Sequence, residues 1–390
     1  MTAPDLTVVP LTTALVRGAA ELERSQHGLL PHRLSSWARA QCADPQLSMV
    51  ESQPSGVHLA FRTAATVIEL DLHRSRTTYA GIAPRPDGVV ELVVDGELVA
   101  QATTSGGTTV TIDTADGTTT TDAGPASTAR FAGLPARDKD VEIWLPHRET
   151  IEIHQLRADA PVQPAADHSR RVWVHHGSSI SHGSNAATPT GIWPVAAARL
   201  AGVDLVNRGF GGSALLDPFV AREIRDMPAD LISLKIGINL VNADLMRLRA
   251  FGPAVRGFLD TIREGHPTTP LLVVSPILCP IHEDTPGPGG FDLDAFAQGV
   301  LRFRATGDPA EVATGKLTLA VIREELARIV ADRRATDQHL HYLDGRELYG
   351  DADAAAHPLP DALHPDSATH RLMAERFVGA VFADGPFAAS

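Results

Sequence analysis

The stretch RVWVHHGSSISHG (residues 171–183) reads as a buried strand that turns directly into a helix. Val172, Trp173 and Val174 make the near-continuous apolar run of a strand covered on both faces. Gly177, Ser178 and Ser179 follow, then Ile180-Ser181-His182-Gly183. A glycine-flanked serine in a strand-to-helix turn presents its hydroxyl where backbone N–H groups converge. Downstream the same grammar repeats. Strands are expected at 204–207, 230–237, 271–277 and 339–345. Helices are expected at 190–202, after Pro218, at 243–265 with an interruption at Gly252-Pro253, at 317–334 and at 367–382. Strands alternating with amphipathic helices define an α/β unit with a parallel sheet. In such sheets ligands sit beyond the carboxyl ends of the strands, so functional residues belong just after Val174, Val206, Ile236, Val274 and Leu343.

Upstream the grammar is different. VHLAFRT (57–63), TVIELDL (66–72), TTVTID (108–113), DVEIWL (140–145) and ETIEIHQL (149–156) are short, β-branched and often alternating. Asp95-Gly96, between two apolar arms, is a strong hairpin signal, and Asp116-Gly117 repeats it in a Thr-rich stretch. These features predict an N-terminal β-sandwich over residues 1–159, with one short helix near Ala20–Arg24. The proline-bearing stretch 160–169 reads as a linker, and 170–385 as the α/β domain.

The 390 residues carry 34 basic and 47 acidic side chains, a net charge of −13. Residues 1–168 hold 13 basic and 21 acidic groups, so −8 of that charge lies in the β-rich part. Neither part has a basic stripe, which argues against nucleic acid or an anionic membrane as partner. No apolar run approaches the roughly 20 residues needed to span a bilayer. The N-terminus, MTAPDLTVVPLTT, lacks a basic segment followed by an apolar one, so a secretory leader is not expected and the cytoplasm is the expected location. Cys42 and Cys279 stand in no metal-like spacing and read as two buried thiols.

Four blocks carry the chemistry. The first is Gly177-Ser178-Ser179. After the second strand comes Asn207-Arg208-Gly209-Phe210-Gly211-Gly212-Ser213, where glycines leave main-chain N–H groups accessible. After the third comes Gly237-Ile238-Asn239, offering a side-chain amide. Near the C-terminus, Asp361-Ala362-Leu363-His364 puts a carboxylate three residues before a histidine, where it can hold the imidazole tautomer.

These blocks, in this order over about residues 171–380, resemble the GDSL or SGNH family of serine hydrolases. The resemblance implies a flavodoxin-like three-layer α/β/α fold, here preceded by a jelly-roll-like β-sandwich. It implies Ser179 as nucleophile, with His364 and Asp361 as base and acid partner. It places the oxyanion hole at the backbone N–H groups of Ser179 and Gly212 and the side-chain amide of Asn239. There are two departures. Ser178 stands where the family usually has Asp before the nucleophile, and Leu240 where it usually has Asp after the third-block Asn. Neither belongs to the implied triad or oxyanion hole.

His182 and Phe210 are further candidates for lining the substrate pocket. Trp193 lies within an expected helix and reads as core. His175 and His176, adjacent on a strand, face opposite sides, so joint metal ligation is not expected. The long segment Cys279–Asp308 lies at the functional edge and reads as a lid or specificity element. The β-domain reads either as a module shaping the substrate entrance or as a structural accessory. The expected activity is cleavage of an ester or thioester through an acyl-serine, with hydrolysis or transfer to a small-molecule hydroxyl. No metal or organic cofactor is expected. The two-domain layout also resembles GDSL-type acyltransferases that tailor tetracycline-class polyketides, which implies acyl-coenzyme A as a donor substrate. The contrasting expectation is a binding protein that keeps the fold without turnover.

Overall fold

The computed structural model of the chain describes residues 5–113, 116–165 and 170–388. Five parallel strands form the sheet of one unit, in the order Asp204–Gly209, Val172–Gly177, Leu231–Lys235, Leu271–Val274, Leu340–Leu343. By sequence that order is 2-1-3-4-5, so the chain reverses its direction of travel between the first and third strands. Val174 is opposite Val206 on one side and Ile232 on the other. The carboxyl ends of these three strands therefore open into the crevice where doubly wound sheets bind ligands. Helices Trp193–Ala201, Pro218–Asp226, Leu248–Gly265, Leu319–Arg333 and Ser367–Phe377 connect and flank the strands.

The other unit is a sandwich of two sheets. Its longest strand, Val67–Tyr79, pairs with Thr150–Ala158 on one side. On the other it pairs antiparallel with Ser127–Ala132 and then parallel with Thr108–Ile112. The second sheet runs Val162–Pro164, His58–Thr63, Lys139–Trp144, Val89–Val94, Glu97–Thr103. Both sheets contribute to one core, including Leu59, Phe61, Ile68, Leu70, Leu92, Ile143 and Ile153. The hairpin at Asp95-Gly96 forms as read, with φ values of 50° and 87°. Positive φ at both central residues is what a two-residue turn between twisted strands requires.

Several expectations are corrected. Ala20–Arg24 is not helical: Glu21–Arg24 is a strand paired antiparallel with Leu29–His32, because the turn at Gly28 (φ 143°) supplies a partner. Stretch 160–169 is not a plain linker: Val162–Pro164 pairs with His58–Thr63, and its proline sits at a sheet edge, where a missing N–H is tolerated. Ala166–Ser169 lie outside the described residues. Helix Leu248–Gly265 runs unbroken through Pro253, held by its buried face of Phe251, Val255, Phe258, Leu259 and Ile262. Helix Ser367–Phe377 passes into a π-helical turn at Val378–Ala383.

The division of the chain also differs from a simple N- and C-terminal split. The first unit comprises the described residues up to Ser36, those from Ser48 to Ala165, and Ala187–Thr190. The second comprises Trp37–Leu47, Arg170–Ala186 and the chain from Gly191 onward. Within the first unit, the Thr190 N–H donates to Glu91 Oε2 at 2.7 Å.

Candidate active site

Ser179 opens the short helix Ser179–His182 directly after the first parallel strand. Ser178 caps it, its side chain accepting from the Ile180 N–H at 3.4 Å. In the first helical turn backbone N–H groups have no intrahelical acceptor, so the Ser179 N–H points outward from the turn. The second block bolts to the first through its own glycines and asparagine. Asn207 Nδ2 donates to Ser181 O at 2.9 Å, and the Phe210 N–H donates to Gly177 O at 2.8 Å. Gly209 permits this approach: a Cβ there would sit 2.5 Å from the His182 backbone nitrogen.

His364 Nε2 lies 2.9 Å from Ser179 Oγ, and His364 Nδ1 lies 2.8 Å from Asp361 Oδ2. Residues 185 positions apart are thus joined in one hydrogen-bonded chain of Ser, His and Asp. All three are buried, with 8%, 6% and 7% of their surface exposed respectively. Burial alone would push the Asp361 carboxyl up. The His364 imidazole and the backbone N–H groups of His364 and Leu363 outweigh it, holding the carboxyl at about 2. Asn185 adds a donor that sequence reading missed, its Nδ2 reaching Asp361 Oδ2 at 3.1 Å.

Asn239 lies in the first turn of the short helix after the third strand, almost fully buried. Its Oδ1 accepts the Ala214 N–H at 3.2 Å, which ties it to the second block. Among the described residues its Nδ2 and the Gly212 N–H have no acceptor in the chain. Gly212 has a φ of 75°, a conformation that favours glycine.

Other candidates fall elsewhere. Phe210 is fully buried, its ring 6.0 Å from His176, so it packs in the core and does not line an open pocket. His182 is buried in the helix of Ser179. Trp193 is core, its ring meeting that of Trp173 at a tilt and those of His175 and Phe377 edge-on. His175 and His176 do face apart. His175 bonds Ser233 Oγ and Ser181 Oγ, while His176 bonds Arg208 O. Burial drives both rings toward neutrality, His176 to about 4. Both cysteines are free; Cys279 is buried, its thiol pushed up to about 12 by burial, whereas Cys42 is half-exposed and so not the buried thiol expected.

The segment Cys279–Asp308 contains a small hairpin, Gly289–Phe291 with Phe303–Ala305. The Phe303 N–H donates to Asp361 O at 2.9 Å, and its ring meets His364 edge-on at 5.6 Å. This segment therefore shields one side of the histidine. Among the described residues, one group of metal-type ligands falls together in the first unit: His27, His73 and Glu152, their ligand atoms within 4.8 Å of one another. The two imidazoles stack at 3.8 Å and 16°, and His73 Nε2 already meets Thr108 Oγ1 at 3.0 Å. Nearly parallel rings do not aim their lone pairs at one point, so the arrangement is a stacked pair.

Residues 170–279, nearly all within the second unit, match the model of the GDSL-like Lipase/Acylhydrolase family. With this fold, the chain is an ester-acting enzyme of GDSL type, an esterase or an acyltransferase. The structure is similar to that of the salicylyl-acyltransferase SsfX3 from a tetracycline biosynthetic pathway. Identity is 29%, coverage is 96% of this chain and 95% of that one, and the TM-score is 0.76. Two further likenesses concern the fold alone. A protein designated a GDSL-like lipase from Bacteroides ovatus is 18% identical over 97% of each chain, TM-score 0.67. A family two carbohydrate esterase from Cellvibrio japonicus is 11% identical over 97% of each chain, TM-score 0.56. No curated protein sequence matches the chain.

Proposed function

We propose that the chain is a serine-dependent acyl enzyme that forms an acyl-Ser179 intermediate and passes the acyl group to a small-molecule hydroxyl or to water. The observation that carries this reading is the chain of hydrogen bonds from Ser179 Oγ through His364 to Asp361 Oδ2. Ser179 is a poor nucleophile until a base takes its proton, and His364 Nε2 is within reach to do so. Oγ then attacks the carbonyl carbon, and the carbonyl electron pair moves onto oxygen. Asp361 stays ionised and balances the imidazolium without taking its proton. The N–H groups of Ser179 and Gly212 and the amide of Asn239 are the donors assigned to the oxyanion. Collapse expels the alcohol or thiol, which leaves with the proton from His364. The acceptor hydroxyl reverses these steps, giving up its proton to His364 and releasing Ser179.

Acyl transfer is favoured over hydrolysis by one observation, the end-to-end likeness to a salicylyl-acyltransferase. The substrates proposed are a small acyl donor, with acyl-coenzyme A as the candidate, and a small-molecule acceptor. Neither nucleic acid, membrane, metal nor an organic cofactor enters the proposal. No helix among the described residues is long and apolar enough to cross a membrane.

A fluorophosphonate probe and a short p-nitrophenyl ester test the mechanism. Wild-type protein should be labelled and should release p-nitrophenol, and Ser179→Ala should do neither. Equal labelling and release in Ser179→Ala would sink the assignment, and inertness of both proteins would leave the fold as a binding scaffold. Adding hydroxyl acceptors then separates the two outcomes: ester products in aqueous buffer mark a transferase, free acid alone a hydrolase.

A further inference from the structure

The second unit includes a segment from far upstream, Trp37–Leu47, which precedes the first parallel strand by more than a hundred residues. Leu47 is buried, and the Arg222 guanidinium lies 5.4 Å over the Trp37 ring. Gln46, exposed on this segment, donates from Nε2 to the Gly211 carbonyl at 2.8 Å. Its Nε2 and Cγ also lie 3.2 and 3.3 Å from where a Cβ on Gly212 would be. The side chain thus lies against the loop that carries one of the proposed oxyanion donors.

We infer that Gln46 is a positioning residue of the oxyanion hole, a role that rests on the reading of Gly212 given above. Gly211 C=O and Gly212 N–H belong to the same peptide unit. In a trans peptide these two groups point in opposite directions, and this bond is not among the cis peptides of the chain. Holding the carbonyl toward Gln46 therefore turns the Gly212 N–H to the opposite side. Without that hold the peptide, between two glycines, has little to stop it rotating, since neither residue carries a side chain that restricts φ and ψ. A rotated peptide would present a carbonyl oxygen to the developing anion in place of an N–H, converting attraction to repulsion. Gln46 need not touch the substrate to exert this effect.

Steady-state kinetics of the full chain on the p-nitrophenyl ester test the assignment, with Gln46→Glu, Gln46→Ala and Gln46→Lys. Glutamate keeps the shape but has no donor at neutral pH, whereas lysine keeps a donor. Gln46→Glu and Gln46→Ala should lose about ten- to a hundredfold in kcat, short of or equal to the loss of a whole oxyanion donor, with KM nearly unchanged. Gln46→Lys should recover most of that loss. A Gln46→Glu kcat within about twofold of wild type, a loss confined to KM, or an equal loss in Gln46→Lys overturns the proposal. Because Gln46→Glu is isosteric, it decides the question even where the alanine variant folds poorly. Ser179-dependent turnover with Gln46→Glu unimpaired overturns only the role of Gln46. Absence of Ser179-dependent turnover in the wild type overturns both readings.

Discussion

Asp361 is a buried carboxylate surrounded by donors, and its environment determines both what it does and when it fails. Its Oδ1 accepts the N–H groups of Leu363 and His364 at 3.0 and 2.7 Å, while Oδ2 takes His364 Nδ1 and Asn185 Nδ2. The folded carboxyl at about 2 lies below the ordinary value near 3.9, so its ionised form stabilises the fold above that value. This contribution, about 2 kcal/mol, should be lost as the pH falls from about 4 through about 2. In the proposed mechanism, replacing Asp361 with Asn removes the charge that would balance the imidazolium and inverts the polarity offered to Nδ1. Turnover is expected to fall on the order of 10⁴-fold at neutral pH. Urea titrations at pH 7 should show the variant less stable than wild type, and the gap should narrow toward pH 2–3. A gap constant with pH would show that the carboxylate charge does not matter to the fold. The trio was legible in the sequence because Asp361 and His364 are three positions apart and Ser179 follows a recognisable strand. Asn185 and Gln46 were not, since their partners are fixed only when the loops are folded: Asn185 adopts a positive φ of 64°, and Gln46 sits 165 positions from Gly211.

Helix Pro218–Asp226 starts at Asp217, which makes no capping bond from its side chain. Burial, and then the nearby charge of Asp44, raise the Asp217 carboxyl to about 6. A carboxyl raised by folding binds its proton more tightly in the native state. Stability therefore declines as the pH rises from about 4 through 6 and stays lower above that. Asp217→Asn removes the penalty without removing a cap, and should stabilise the protein at pH 7.5 by about 1 kcal/mol once solvent screening is allowed for. Thermal melts at pH 7.5 and pH 4.5 check this: the gain should be present at the first and nearly absent at the second. Equal gains at both would mean that the charge is not the cause. Neither carboxylate was singled out by the sequence, because the repulsion depends on the segment Trp37–Leu47 joining the second unit. The apolar strands and the Asp95-Gly96 hairpin were legible because local pattern and tertiary environment agree there. Glu21–Arg24 and Val162–Pro164 were not: each is a short edge segment, extended only because a neighbouring strand offers backbone partners.

At the scale of the whole molecule, the likeness to the acyltransferase covers 96% of the chain, so the β-rich unit belongs to the shared architecture and not to an unrelated addition. Residues 1–168, most of which form that unit, also hold most of the excess charge, with 13 basic against 21 acidic groups. A net charge of −13 makes the long-range field repulsive to a polyanion such as acyl-coenzyme A. Raising the ionic strength shortens the reach of that field, from a Debye length of about 20 Å near 20 mM salt to under 10 Å near 200 mM. If the donor is a coenzyme A thioester and binds without a dedicated cluster of cations, its KM should fall as salt is added over this range. The KM for a neutral p-nitrophenyl ester should stay level, because no net charge approaches the protein. The neutral ester is the necessary control, since salt effects on the fold or on His364 would move both substrates together. A coenzyme A donor whose KM rises with salt while the ester's stays level would reverse the argument. It would mean that local arginines capture the phosphates strongly enough to override the field of the whole chain.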